Sequence, residues 1–210
     1  MVMPARNNSK SFHRSTKELK YHTEVVNGYF HEERPKKGAP VSPEFFGLMC
    51  LRNPDNIPTK VLPIKQILNQ MDGETINALS EPEFSAFSQS SFDVTIKTKN
   101  LPVLVRCGTG EFGIRFSSSK LQGENLKAEK ALHAFKKLIL RSRMDTHLNL
   151  SPSDLAIINN RYCLHGRGEI FGTERFDGND RWMLRVYGYD RKNLSRIEFD
   201  DQKNHVMLVR

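Results

Sequence analysis

Apolar and polar positions along this chain mostly follow short runs and alternations of period two, interrupted by one long helical stripe. Tyr21-His-Thr-Glu-Val-Val26 is short and β-branched and predicts a strand. Residues 31–44 are charged and contain three prolines, so they predict a loop. Phe45-Phe-Gly-Leu-Met-Cys-Leu51 predicts a buried strand closed by the turn at 52–56. Apolar spacing at Val61, Ile64, Ile67, Leu68 and Met71 predicts a short helix ending near Asp72-Gly73. Alternation at Phe92, Val94 and Ile96 predicts strands joined by loops across 80–100. Two more strands are expected at 102–105 and 112–116, around the turn Cys107-Gly-Thr-Gly110.

The clearest helix covers 124–141. There Leu126, Ala131, Leu132, Phe135, Leu138 and Ile139 share a face, with lysines largely opposite. Leu155-Ala-Ile-Ile158 and Trp182-Met-Leu-Arg-Val-Tyr187 predict two later strands. Many strands, two helices and no regular βαβ alternation predict a β-sandwich or barrel with helical packing.

Composition narrows the function classes. The chain has 210 residues, 38% hydrophobic and 27% charged, as expected of a globular domain. No apolar run is long enough for a membrane helix, and the start lacks the apolar stretch of a secretory signal. Three scattered cysteines fit neither a disulfide framework nor a CxxC zinc site, so reduced thiols in a cytoplasmic setting are expected. The net charge is +8, and half of it falls in residues 1–21, where five basic residues face one acid. That segment reads as a basic flexible tail, and residues 22–210 as a single domain. A basic nucleic-acid-binding protein is the alternative that this charge suggests, but no zinc-finger, RNP-like or basic-zipper pattern accompanies it.

Two histidines stand two residues before an acid, and about one such pair is expected by chance from the composition. His31-Glu32-Glu33 lies in the proline-bounded loop. His22-Thr23-Glu24 lies in the predicted strand, where residues two apart project from one face. His165 stands at the end of an apolar strand, just before a turn expected at Gly166. In the last strand Arg181, Met183, Arg185 and Tyr187 share one face, with Trp182, Leu184 and Val186 on the other. Two arginines on one strand face suit bidentate recognition of carboxylates.

His22-Thr-Glu24, Phe30, Arg34-Pro35, Leu48-Met-Cys-Leu-Arg52, Asn160-Arg161, Leu164-His-Gly-Arg167 and Phe176-Asp-Gly-Asn-Asp-Arg-Trp182 occur in this order. Together they resemble the clavaminate synthase-like branch of the iron(II)- and 2-oxoglutarate-dependent oxygenases. The resemblance implies a double-stranded β-helix, or jelly roll, short at its N-terminal end. It implies iron(II) held by His22, Glu24 and His165, and 2-oxoglutarate as cosubstrate, its distal carboxylate on Arg181 and Thr59 helping to hold it. It implies that Arg185 pairs with the carboxylate of an amino-acid-like substrate, whose amino group Glu24 faces. The implied activity is a dioxygenase consuming dioxygen, releasing succinate and carbon dioxide, and hydroxylating an unactivated C–H of a free or derivatised amino acid.

The sequence departs from the family at four places. The segment between His165 and Arg181 is longer than usual, with 168–174 expected to absorb the excess, and so is the gap from Glu24 to Thr59. Arg115-Phe-Ser-Ser-Ser119 carries serines where arginine hydroxylases of the family carry acids, which disfavours arginine as substrate. Only 21 residues precede His22, where the family has a long segment. A truncated or degenerate relative without catalysis is therefore the alternative within the family, and apolar surface left uncovered would predict a homo-oligomer.

Overall fold

The computed structural model describes residues 16–88, 96–170, 179–199 and 207–210. Along the chain, β1 (Leu19–His22) leads to a 3-10 turn at His31–Glu33, β2 (Phe45–Arg52), β3 (Thr59–Pro63), α1 (Ile64–Leu68), α2 (Gly73–Ser80) and β4 (Phe84–Phe87). The middle comprises β5 (Lys97–Leu101), β6 (Leu104–Arg106), β7 (Phe112–Ile114), β8 (Leu121–Gly123) and α3 (Leu126–Arg141). The last part holds β9 (Thr146–Leu148), β10 (Leu155–Asn159), β11 (Cys163–Arg167), β12 (Trp182–Gly188), α4 (Arg191–Leu194), β13 (Ile197–Phe199) and β14 (Met207–Val209). The fold is mainly β, with few helices.

Two antiparallel sheets frame the site. One has the strand order β1-β11-β3-β9 and the other β10-β2-β12. Both contribute side chains to one apolar cluster: Phe46, Cys50, Ile158 and Met183 from the second sheet pack with Val61, Leu148 and Cys163 from the first. Fully burying a side chain such as Phe46 stabilises the fold by about 1.5–3 kcal/mol, and here it also fixes the spacing between the sheets.

A larger cluster lies beneath the helices, where Leu62, Ile67, Leu79, Phe84, Leu104, Phe116 and Phe135 are fully buried. Phe116 and Phe135 meet edge to face at 5.2 Å, tying α3 to the segment that runs on to the serines at 117–119. Helix α3 begins where the Asn125 side chain accepts a hydrogen bond from the Ala128 N–H, a capping contact that starts the helix just after the predicted boundary.

Several elements differ from the sequence expectation. Val61 belongs to β3, so the helix starts only at Ile64. Asp72, read as the end of that helix, starts another: its side chain accepts from the Thr75 N–H and caps α2. Leu126 is exposed instead of lying on the buried face of α3. Residues 19–21, assigned to the basic tail, belong to β1. Leu19 and Lys20 are exposed and give no periodic signal; backbone pairing with β11 orders them, and Tyr21 packs partly buried against the core. The remainder of the tail (1–15), the alternation at Phe92 and Val94, and most of the segment between Gly168 and Arg181 lie outside the described residues. Among the described residues, no helix is long and apolar enough to cross a membrane, and the three cysteines are free thiols.

Candidate metal centre

His22 closes β1 and stands opposite His165 in β11, with ring centroids 4.2 Å apart. The neighbouring Gly166 makes this approach possible. A Cβ there would lie 2.6 Å from the Leu19 carbonyl oxygen, so any larger residue would push β1 away. Gly166 is thus not a turn residue: His165 sits in the middle of β11.

The strand reading of His22-Thr23-Glu24 needs a correction. The strand ends at His22, and Glu24 enters a turn in which Val25 has φ 48°. Three contacts fix that turn. The Thr23 N–H donates to the Phe116 carbonyl (2.8 Å), the Glu24 N–H donates to Asn160 Oδ1 (2.7 Å), and the Asn160 amide donates to the Pro43 carbonyl (2.9 Å). Asn160 is fully buried and clamps the Glu24 backbone from a distant part of the chain.

The result is a cluster of two imidazoles and one carboxylate. One ligand atom from each of His22, Glu24 and His165 lies within 4.8 Å of the others. His22 Nδ1 is 2.9 Å from the Lys20 carbonyl. A carbonyl only accepts, so Nδ1 carries the proton and the Nε2 lone pair is left for a ligand. Burial, and next the neighbouring His165, push the His22 pKa down to about 4, so the ring is neutral near pH 7, as metal ligation requires. His165 Nε2 lies 3.2 Å from Glu24 Oε1, while its Nδ1 is buried without a partner.

Burial opposes ionisation of Glu24, but the His165 hydrogen bond and the Arg185 guanidinium outweigh it and hold the carboxyl well below the usual range. Arg185 Nη1 lies 2.9 Å from both carboxylate oxygens, and the Tyr187 hydroxyl donates to Oε2 at 2.7 Å. The sequence puts Tyr187 on the same strand face as Arg185 but gives it no role. Its chemistry depends on the fold bringing Glu24 to that face.

Arg181 and Thr59 meet a short way along the same sheets. Arg181 Nη2 donates to Thr59 Oγ1 at 3.3 Å, and both residues are buried, at 6% and 2% exposure. Among the described residues, no carboxylate pairs with this guanidinium, and its Nε has no hydrogen-bond partner. Burial, followed by the like charge of Arg167, lowers its pKa to about 10, so it stays cationic at neutral pH. A buried cation without a counter-ion costs several kcal/mol. The site therefore suits an anionic ligand.

All six sequence-designated residues thus gather between the two sheets. On β12 the predicted alternation holds. Arg181 and Met183 are buried, Arg185 and Tyr187 turn to Glu24, and Leu184 and Val186 face outward.

Sequence reasoning missed a second charged group beside the centre. Arg161 is 6% exposed and bonds Glu32 at 2.5 Å, with Glu44 3.3 Å away, and the fully buried Arg115 pairs with Glu33. The segment 31–33, expected to be loose, is held as a 3-10 turn by these ion pairs. Apolar periodicity carries no signal for buried arginines that are matched by acids far away in the sequence.

The chain is similar to known oxygenases. It is 30% identical over 179 residues to L-asparagine oxygenase of Streptomyces coelicolor, covering 80% of this chain and 47% of that protein. It is 27% identical over 201 residues to enduracididine beta-hydroxylase of Streptomyces hygroscopicus, covering 82% of this chain and 53% of that protein. Among solved structures, asparagine oxygenase in complex with Fe(II), 2S,3S-3-hydroxyasparagine and succinate superposes with a TM-score of 0.75 at 23% identity, over 97% of this chain and 60% of that one. The non-heme iron oxygenase OrfP in complex with Fe and alpha-ketoglutaric acid superposes with a TM-score of 0.70 at 22% identity, over 97% and 60%. No protein-family model matches the sequence. The chain spans about half the length of the curated relatives it matches. In sequence it is a homologue of amino-acid oxygenases and hydroxylases, and its resemblance to the clavaminate synthase-like branch of the iron(II)- and 2-oxoglutarate-dependent oxygenases stands.

Proposed function

We propose that this chain is an iron(II)- and 2-oxoglutarate-dependent dioxygenase that hydroxylates an unactivated C–H of a free or derivatised amino acid. The two facing sheets are the halves of a jelly roll, and the chain from β1 onward forms one oxygenase domain around them. The observation that carries this reading is the neutral-imidazole, carboxylate, imidazole cluster of His22, Glu24 and His165, beside a buried arginine that lacks a counter-ion. Two nitrogens and one oxygen from one side suit non-haem iron and leave positions for other ligands. Relatives and neighbours named for amino-acid oxygenation, and complexes with Fe and alpha-ketoglutaric acid, support the same choice.

Iron(II), when bound, supplies the activation of dioxygen at the expense of 2-oxoglutarate. The protein supplies position and charge. The Lys20 carbonyl fixes the tautomer of His22, and Phe46, with its ring 4.1 Å from that of His165, closes the apolar side of the site. Arg181, with Thr59 at its side, holds the distal carboxylate of 2-oxoglutarate. Arg185 offers its guanidinium to the substrate carboxylate, while Glu24 faces the substrate amino group as well as the metal.

The test is succinate formation from 2-oxoglutarate by the purified chain with iron(II) and air. Turnover that disappears in His22→Ala and His165→Ala agrees with the proposal. No succinate, coupled or uncoupled, from folded and iron-loaded protein contradicts it.

A further inference from the structure

His22, alone of the three clustered residues, reaches a cavity of about 440 Å³ that opens to solvent, while Glu24 and His165 are buried behind it. His22 and Arg185 form its inner end, and Ser117, Ser118, Lys17, Lys20 and Lys120 stand around the rest. Its charges are one-sided. Glu18 is the one acid on the lining, and its carboxylate lies 2.6 Å from Lys60, which is not part of the cavity. No carboxylate among the described residues pairs with Lys17, Lys20 or Lys120. Lys120 is half-buried and its backbone N–H donates to Ser117 Oγ at 3.3 Å, whereas Lys17 and Lys20 are exposed at the mouth.

A pocket for a cationic side chain would present an acid here. This one presents hydroxyls and unpaired ammonium groups beyond the arginine that takes the substrate carboxylate. We infer that the substrate side chain is itself anionic, so that the substrate is a small amino acid with a second carboxylate or a comparable acidic group. This rests on the proposed oxygenase reading and adds the substrate class. Arg185 holds one carboxylate, the Ser117 hydroxyl, which only accepts from the Lys120 N–H, donates to the other, and the lysines supply the field that selects its charge.

L-aspartate and L-asparagine are nearly isosteric and differ in this charge, so they isolate the claim. Each is titrated calorimetrically, without oxygen, into the chain loaded with iron(II) and 2-oxoglutarate. Aspartate binding about tenfold or more tighter at low salt, with the margin shrinking at high salt, is expected for a screened charge interaction. The double variant Lys20→Glu/Lys120→Glu reverses the order, while Lys120→Arg keeps it. Three results overturn the inference: asparagine, L-arginine or L-lysine binding as tightly as aspartate, no binding by any of the four, or charge reversal that weakens aspartate and asparagine alike. Each leaves the oxygenase reading standing if the chain still takes up iron and makes succinate. Failure to take up iron defeats that reading first, and this one with it.

Discussion

One nitrogen of Arg185 holds both oxygens of Glu24, at 2.9 Å each, while the Tyr187 hydroxyl takes one of the same oxygens at 2.7 Å. The carboxylate that faces the two imidazoles is thereby fixed from behind by β12, the strand that Arg181 immediately precedes. Substituting Arg185→Gln removes the cation that helps keep Glu24 ionised. We expect iron affinity at pH 6 to fall more than at pH 8, because proton competition for Glu24 grows, together with a loss of substrate affinity. Iron titrations at the two pH values check this.

Arg181 predicts an opposition between stability and ligand binding. Replacing a buried, unpaired cation with an apolar side chain of similar length relieves its desolvation cost. Arg181→Met should therefore stabilise the ligand-free chain by about 1–3 kcal/mol while abolishing 2-oxoglutarate binding. Denaturant unfolding and cosubstrate titration of the same variant read both effects.

The metal-free protein should lose stability as it is acidified. Folding lowers the His22 pKa from 6.5 to about 4, so the unfolded chain takes up that proton first. The contribution is fully present above pH 6.5 and drains away as pH falls towards 4, by about 3 kcal/mol at most. The depressed Glu24 acts with the same sign at lower pH. Unfolding midpoints between pH 4 and 8 should follow this slope in the wild type and flatten in His22→Gln.

The outward face of β10-β2-β12 is apolar, with Ile157 70%, Val186 61% and Leu155 55% exposed. Ile157→Lys with Val186→Lys should change folding stability little, since neither side chain is buried. It should lower any concentration-dependent association, which sedimentation can read.

Much of this site was legible before the fold. The alternation on β12 designated Arg181 and Arg185, and a histidine two residues before an acid designated His22 and Glu24. Strand alternation accounts for His22 but not for Glu24. Glu24 leaves the strand, and it is Asn160, 136 positions away, that turns it back towards His22. Such long-range clamps, like the pairing of Arg115 with Glu33 and of Arg161 with Glu32, leave no local periodicity to read. Asp72 shows the opposite difficulty, because an Asp-Gly pair suits a helix stop as well as a helix start; here α1 has already ended at Leu68, and Asp72 caps the next helix.

The central claim is that His22, Glu24 and His165 hold one metal ion. Anaerobic calorimetric titration of iron(II) into wild type, His165→Ala and Glu24→Ala tests it most directly. The account predicts one ion per chain in the wild type and a loss of at least tenfold in affinity in each variant. A wild type that binds no iron, or variants that bind it equally well, would contradict it.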